Sequence, residues 1–118
     1  MHALLAAALA LNFLLEALAA ATLIGGPGGI GDATAASRWS MHYGFAVIAI
    51  ASAGLWLWPA RRELAALTPV LGVLTIFHAA LVTSLFVAGD QPQGAVAHAV
   101  LAVVFAFLFL QRRKLAGA

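Results

Sequence analysis

Apolar residues run along this chain in four long blocks, each closed by glycine, proline or charge. The first extends from Ala3 to Ile24 and is interrupted only by Asn12, Glu16 and Thr22. It stops at Gly25-Gly26-Pro27-Gly28-Gly29, a run that no helix tolerates. The second covers Met41 to Trp58 and ends at Pro59; the third covers Leu64 to Ala88. The fourth runs from Gly94 to Leu110, with an earlier start after Pro92 also open to it. A helix crosses the hydrocarbon core of a bilayer with about 20 apolar residues, and about 17 to 25 are acceptable. The pattern therefore predicts four spanning helices over about 3–24, 41–58, 64–88 and 94–110. Pro69 falls in the first turn or two of the third, where early amides lack helical partners and a proline costs little.

Composition turns this pattern into a fold class. The 118 residues are 64% hydrophobic and 8% charged, with a mean hydropathy of +1.04. A soluble domain of this size needs roughly a quarter of its residues charged to cover its surface. Lipid must be the solvent for most of this one. The expected fold is an all-α integral membrane protein, a single membrane domain over 1–118 built as a four-transmembrane-helix bundle. The first block has no basic flank, is long enough to span and contains Glu16, so it reads as a span rather than a secretory leader.

Charge sets the expected orientation. Five of the six basic residues form two clusters, Arg61-Arg62 between the second and third blocks and Arg112-Arg113-Lys114 after the fourth. An even number of spans puts both clusters on one side. The other loops hold Asp32, Arg38 and Asp90, a net negative balance. The positive-inside rule then gives an N-in/C-in chain, multi-pass in the cell (inner) membrane with both termini cytoplasmic. Trp39 and Tyr43 would mark the outer interface, and Trp56 and Trp58 the inner one. Basic residues gathered beside apolar runs anchor membranes, so nucleic acid is not an expected partner. Zero cysteines exclude disulfides, thiolate metal sites and a cysteine nucleophile.

Ionisable groups inside a membrane are expensive, and each needs an account. Each block carries one: Glu16, His42, His78 and His98. From a rise of about 1.5 Å per residue, Glu16 lies roughly 12 Å and His78 roughly 15 Å below the outer boundary, with His42 and His98 roughly 3 to 6 Å inside it. All four fall in the outer half. Small-residue stripes run beside them: His42, Ala46, Ala49 and Ala53 on the second helix, and Gly94, His98, Ala102 and Ala106 on the fourth. Gly72, Thr75, His78 and Val82 share a side of the third, and Asn12 stacks above Glu16 on the first, with Ala19 and Ala20 beyond. Small residues let membrane helices approach closely, so the four ionisable groups are expected to point inward.

Three readings follow. In the first, the cluster is structural: Glu16 pairs with His78 at similar depth, Asn12 bonds to a neighbouring backbone, and the chain is an accessory subunit. In the second, it holds a cofactor. His42 and His98 at matched depth, with His78 as a third possible ligand, suit one haem b, and Glu16 with several histidines suits a transition metal. In the third, Glu16 beside histidines passes protons for a small-solute carrier. Four short helices with a glutamate in the first is a layout similar to the small multidrug resistance transporters. The resemblance stops at Glu16: the histidines have no counterpart there and the motifs of the later helices are absent, so the family is not assigned.

The remaining motifs add little. Gly25 to Gly31 has no following Lys-Ser/Thr and is no phosphate loop, and Ser40, Ser52 and Ser84 have no triad around them. Asp90-Gln91-Pro92 reads as an outer turn, with Asp90 able to close over His98, and residues 25–40 read either as a linker or as a cover for the outer mouth. The reading favours a non-enzymatic role, in contact with lipid and either self-associating or attached to a larger complex.

Overall fold

In a computed structural model, which describes residues 1–25, 34–89 and 91–117, the chain is all-helical. The helices are α1 (His2–Ile24), α2 (Ala35–Leu57), α3 (Leu64–Ala88), α4 (Pro92–Leu110) and the short α5 (Arg112–Ala116). The first four are long and apolar enough to cross a membrane. Number and position agree with the sequence pattern, and Pro92 opens α4 at its first turn. The glycine-rich part of the first loop and Asp90, to which covering roles were assigned above, lie outside the described residues.

Two boundaries differ. Helix α2 starts at Ala35 rather than Met41, because Ser37, Arg38 and Ser40 interrupt the apolar pattern without breaking the helix. Hydropathy marks only the part of a helix that meets lipid. The second difference is α5, where Leu115 is buried and Gly117 caps the end at φ 76°. A turn this short leaves no periodicity to read. Pro69 is the sixth residue of α3, so it removes one helical bond, to Ala65, which the first-turn argument did not count.

The helices divide between two compact units. The first, Leu9–Trp56, is an antiparallel pair made of most of α1 and α2. Its pairing is read from its contacts. A Cβ added at Gly54 would lie 3.2 Å from the Leu9 Cβ, and one at Gly44 would lie 2.7 Å from the Ile24 Cγ1. Between them the Asn12 amide donates to the Ile50 carbonyl at 3.1 Å, and near the end of α1 the Ser40 hydroxyl donates to the Leu23 carbonyl at 3.0 Å. Glycine on α2 lets the two backbones close together, which is what brings Asn12 within reach of a main-chain acceptor.

This arrangement corrects the expected inward face of α2. His42, Ala46 and Ala49 are exposed, while Gly44, Val47 and Ala51 are buried. Both stripes are made of small residues at helical spacing. The deciding residues are the two glycines, which permit an approach that alanine does not.

The second unit, Met1–Ala8 with Leu57–Ala118, holds the α3–α4 hairpin and α5. Gly89, at φ 73°, ends α3 by donating its N–H to the Leu85 carbonyl. The buried positions are Leu67, Leu71, Leu74 and His78 on α3, and His98, Leu101, Phe105 and Leu108 on α4. Steps of four and three keep a stripe on one face, whereas the uniform steps of four expected on α4 drift around the helix. The hairpin therefore packs along a leucine and phenylalanine seam beside the small-residue stripes, with His78 and His98 belonging to it. Gly72 serves differently, leaving room for the Phe109 ring. At the open end of the hairpin α5 packs on α3. There Arg61 and Arg112 each lie over the aromatic ring three residues earlier, Trp58 and Phe109, and donate to its carbonyl.

Candidate functional site: a buried histidine pair

Helices α3 and α4 each contribute one histidine to the apolar seam, and the two meet. The Nδ1 atoms of His78 and His98 are 2.9 Å apart, with neither ring open to the surface. Ring centres stand 5.2 Å apart. That separation is what the 2.9 Å contact plus the two ring radii amounts to, so the nitrogens lie in line between the rings. This is hydrogen-bond geometry. One Nδ1 carries a proton and the other accepts it, so a neutral pair holds opposite tautomers. One outer Nε2 is then a donor and the other an acceptor.

Aromatic neighbours fix the rings. Phe105 stacks on His78 with centroids 5.5 Å apart and planes 9° apart, and Phe77 meets it edge-on at 5.2 Å. Phe105 follows His98 by two helical turns, so α4 presents His78 with both its hydrogen-bond partner and its stacking surface. Sequence reasoning missed Phe105. The seven-residue spacing from His98 was the available signal, and it is easily lost among so many apolar residues. The Thr75 hydroxyl, expected on the same side, is engaged with the Leu71 carbonyl of its own helix.

No known protein family, curated protein or solved structure matches the chain.

Helix α4 begins at Pro92 rather than Gly94, so His98 stands about 3 Å further along the helix than its spacing from Gly94 implied. Glu16 is buried on α1, on the same stripe as Asn12 and Ala20. His42 is exposed on α2, with its ring edge-on to Trp39 at 6.1 Å. The partner found beside His98 is thus His78, and an exposed His42 does not have the buried surroundings that the haem reading required of it. Haem held between His78 and His98 does not fit either, since 2.9 Å leaves no space for an iron and its ring.

A groove of about 390 Å³ opens in the α1–α2 unit, lined by Phe13, Ile48 and several alanines. Its hydroxyl, Ser52, is occupied by the Ala49 carbonyl and the Trp56 indole. It offers shape and no chemistry. Among the described residues, the buried polar side chains are Asn12, Glu16, His78 and His98.

Proposed function

We propose that this chain is a small accessory subunit of the cell (inner) membrane, N-in and C-in, whose buried polar groups set the register of otherwise uniform apolar helices. The His78–His98 bond carries the reading. A seam of leucines can slip by a turn at little cost in lipid, because the tails are as apolar as the side chains. A head-on imidazole contact cannot slip. It is made at one register and lost at every other.

Glu16, buried on α1, acts within its own unit in this proposal, on the stripe it shares with Asn12. Orientation rests on the two basic clusters, both at the open end of the α3–α4 hairpin, with Arg61 and Arg112 braced against aromatic rings. Attachment to a second copy or a larger complex is proposed from the exposed small stripe of Ala46 and Ala49, which a neighbouring helix can approach closely.

Double-mutant cycles test the register role. Unfolding free energies of His78→Ala, His98→Ala and the double variant in bicelles should yield a coupling of about 0.6 to 1.7 kcal/mol. Additive losses in the histidine cycle would retire the proposal.

A further inference from the structure

We propose that the open end of the α3–α4 hairpin binds the phosphodiester headgroup of an acidic membrane phospholipid, with Arg61 and Arg112 as its anion-binding forks. The inference goes beyond the register role and does not depend on the histidine pair. Charge comes first. Arg61, Arg62, Arg112, Arg113 and Lys114 share that end with a single acidic side chain, Glu63. Among the described residues, none of the five cations pairs with a carboxylate. Cations gathered at a membrane boundary without internal partners draw their counter-charge from outside the chain. The anions fixed at such a boundary are lipid phosphates.

Geometry sets two of the five apart. Arg61 Cζ stands 4.5 Å from the centre of the Trp58 ring, and Arg112 Cζ stands 4.2 Å from that of Phe109. Each also donates from Nη1 to the carbonyl of the same aromatic residue, at 2.9 and 2.7 Å. Held at two points, these guanidiniums have already lost much of the side-chain freedom that binding would otherwise have to freeze. Among the described residues, Nη1 is the one nitrogen of each that is engaged. The Nε–Nη2 edge therefore keeps two parallel N–H donors, which match two oxygens of a phosphodiester. A lysine supplies a point charge and no fork. Arg62, Arg113 and Lys114 are exposed and add to the field without fixing a position.

The neighbours of the forks select a lipid over a free anion. Trp58 and Leu110 are both exposed beside them in the chain. Exposed tryptophan belongs at headgroup level, and leucine faces the tails below it. A lipid phosphate seated on the forks lays its acyl chains against that apolar surface, whereas inorganic phosphate gains nothing from it.

The test uses the full chain in mild detergent and native mass spectrometry. Its probes are phosphatidylglycerol, phosphatidylcholine with the same tails, and inorganic phosphate. We expect phosphatidylglycerol to bind at least about tenfold more tightly than phosphatidylcholine, whose choline cancels the phosphate charge. Arg61→Lys,Arg112→Lys keeps every charge and should lose most of that preference, whereas Arg62→Lys,Arg113→Lys should retain it. In wild-type protein reconstituted with phosphatidylglycerol, nitrogen–phosphorus dipolar coupling should place phosphorus about 4 Å from the Arg61 or Arg112 guanidinium, which keeps the proposal falsifiable if a variant misfolds. Equal binding of the two lipids, or a wild type without that coupling, overturns the site. A preference unchanged in the folded Arg61→Lys,Arg112→Lys variant would reduce it to bulk charge attraction, and inorganic phosphate binding as tightly as the lipid would make it a free-anion site; either overturns the proposal.

Discussion

The ring of His78 lies face to face with that of Phe105, their planes within 9° and their centres 5.5 Å apart. Phe105 is fully buried, so this stack is part of the seam. Phe105→Leu keeps the position apolar, at a smaller volume, and removes the stack. Aromatic pairs of this kind contribute about 0.5–1.5 kcal/mol beyond the area they bury. The expected result is a loss of about 1–2 kcal/mol in unfolding free energy. Nitrogen NMR of the His78 ring should also show averaging between the two tautomers. A ring signal identical to wild type would mean that the stack does not hold the imidazole.

Asn12 gives a second test, in the other unit. Its amide reaches the Ile50 carbonyl of α2 at 3.1 Å, and its side chain is fully buried. Asn12→Leu keeps the branched side-chain skeleton, with bulkier methyl groups, and has no donor. Interhelical hydrogen bonds in membranes average about 0.6 kcal/mol and reach about 1.7. We expect destabilisation in that range, measured by unfolding in bicelles. A stabilised Asn12→Leu variant would show that lipid-like packing outweighs the bond.

The number of helices long and apolar enough to span was legible because a bilayer requires a length and a composition that apolar blocks display directly. Burial of Asn12, Glu16, His78 and His98 was legible too, from the cost of leaving polar groups in hydrocarbon. Facing was harder. In a soluble helix polar residues mark the outside, but here both sides of α2 are apolar, and His42–Ala46–Ala49 imitates an interface as well as Gly44–Val47–Ala51 does. Only contact with α1 separates them. The His78–His98 pairing was missed for a related reason: depth counted from the end of an apolar block ignores polar residues such as Gln93 that α4 includes.

The facing of α2 makes a sharp contrast between two glycines. A methyl group at Gly44 would meet Ile24 Cγ1 at 2.7 Å, Leu23 Cβ at 3.0 Å and the Ala20 carbonyl at 3.2 Å. A methyl at Gly72 would meet only the Phe109 ring, at 3.5 Å, an ordinary contact. Gly44→Ala should therefore force α1 and α2 apart and cost about 1–3 kcal/mol. Gly72→Ala should be close to neutral. Equal effects in an unfolding assay would count against the pairing of Gly44 with the end of α1.

Orientation yields the last test, and the absence of cysteine makes it clean. A single Ala116→Cys change places one thiol at the end of the basic turn α5, and leaves Gly117 to cap it. With the N-in/C-in arrangement, a membrane-impermeant maleimide should label it only after the cells are opened. Arg61 and Arg112 are braced by Trp58 and Phe109, so their charges are held at the end of the hairpin instead of trailing into solvent. Loop arginine and lysine bias orientation, while added acids contribute little, so glutamine is sufficient to remove the signal. Replacing Arg61, Arg62, Arg112, Arg113 and Lys114 by glutamine should let a measurable fraction of the chains label from outside intact cells. Replacing Arg61 and Arg112 alone should produce a smaller fraction, because three cations remain. Labelling of the single-cysteine protein from outside, with all five charges in place, would reverse the topology proposed here.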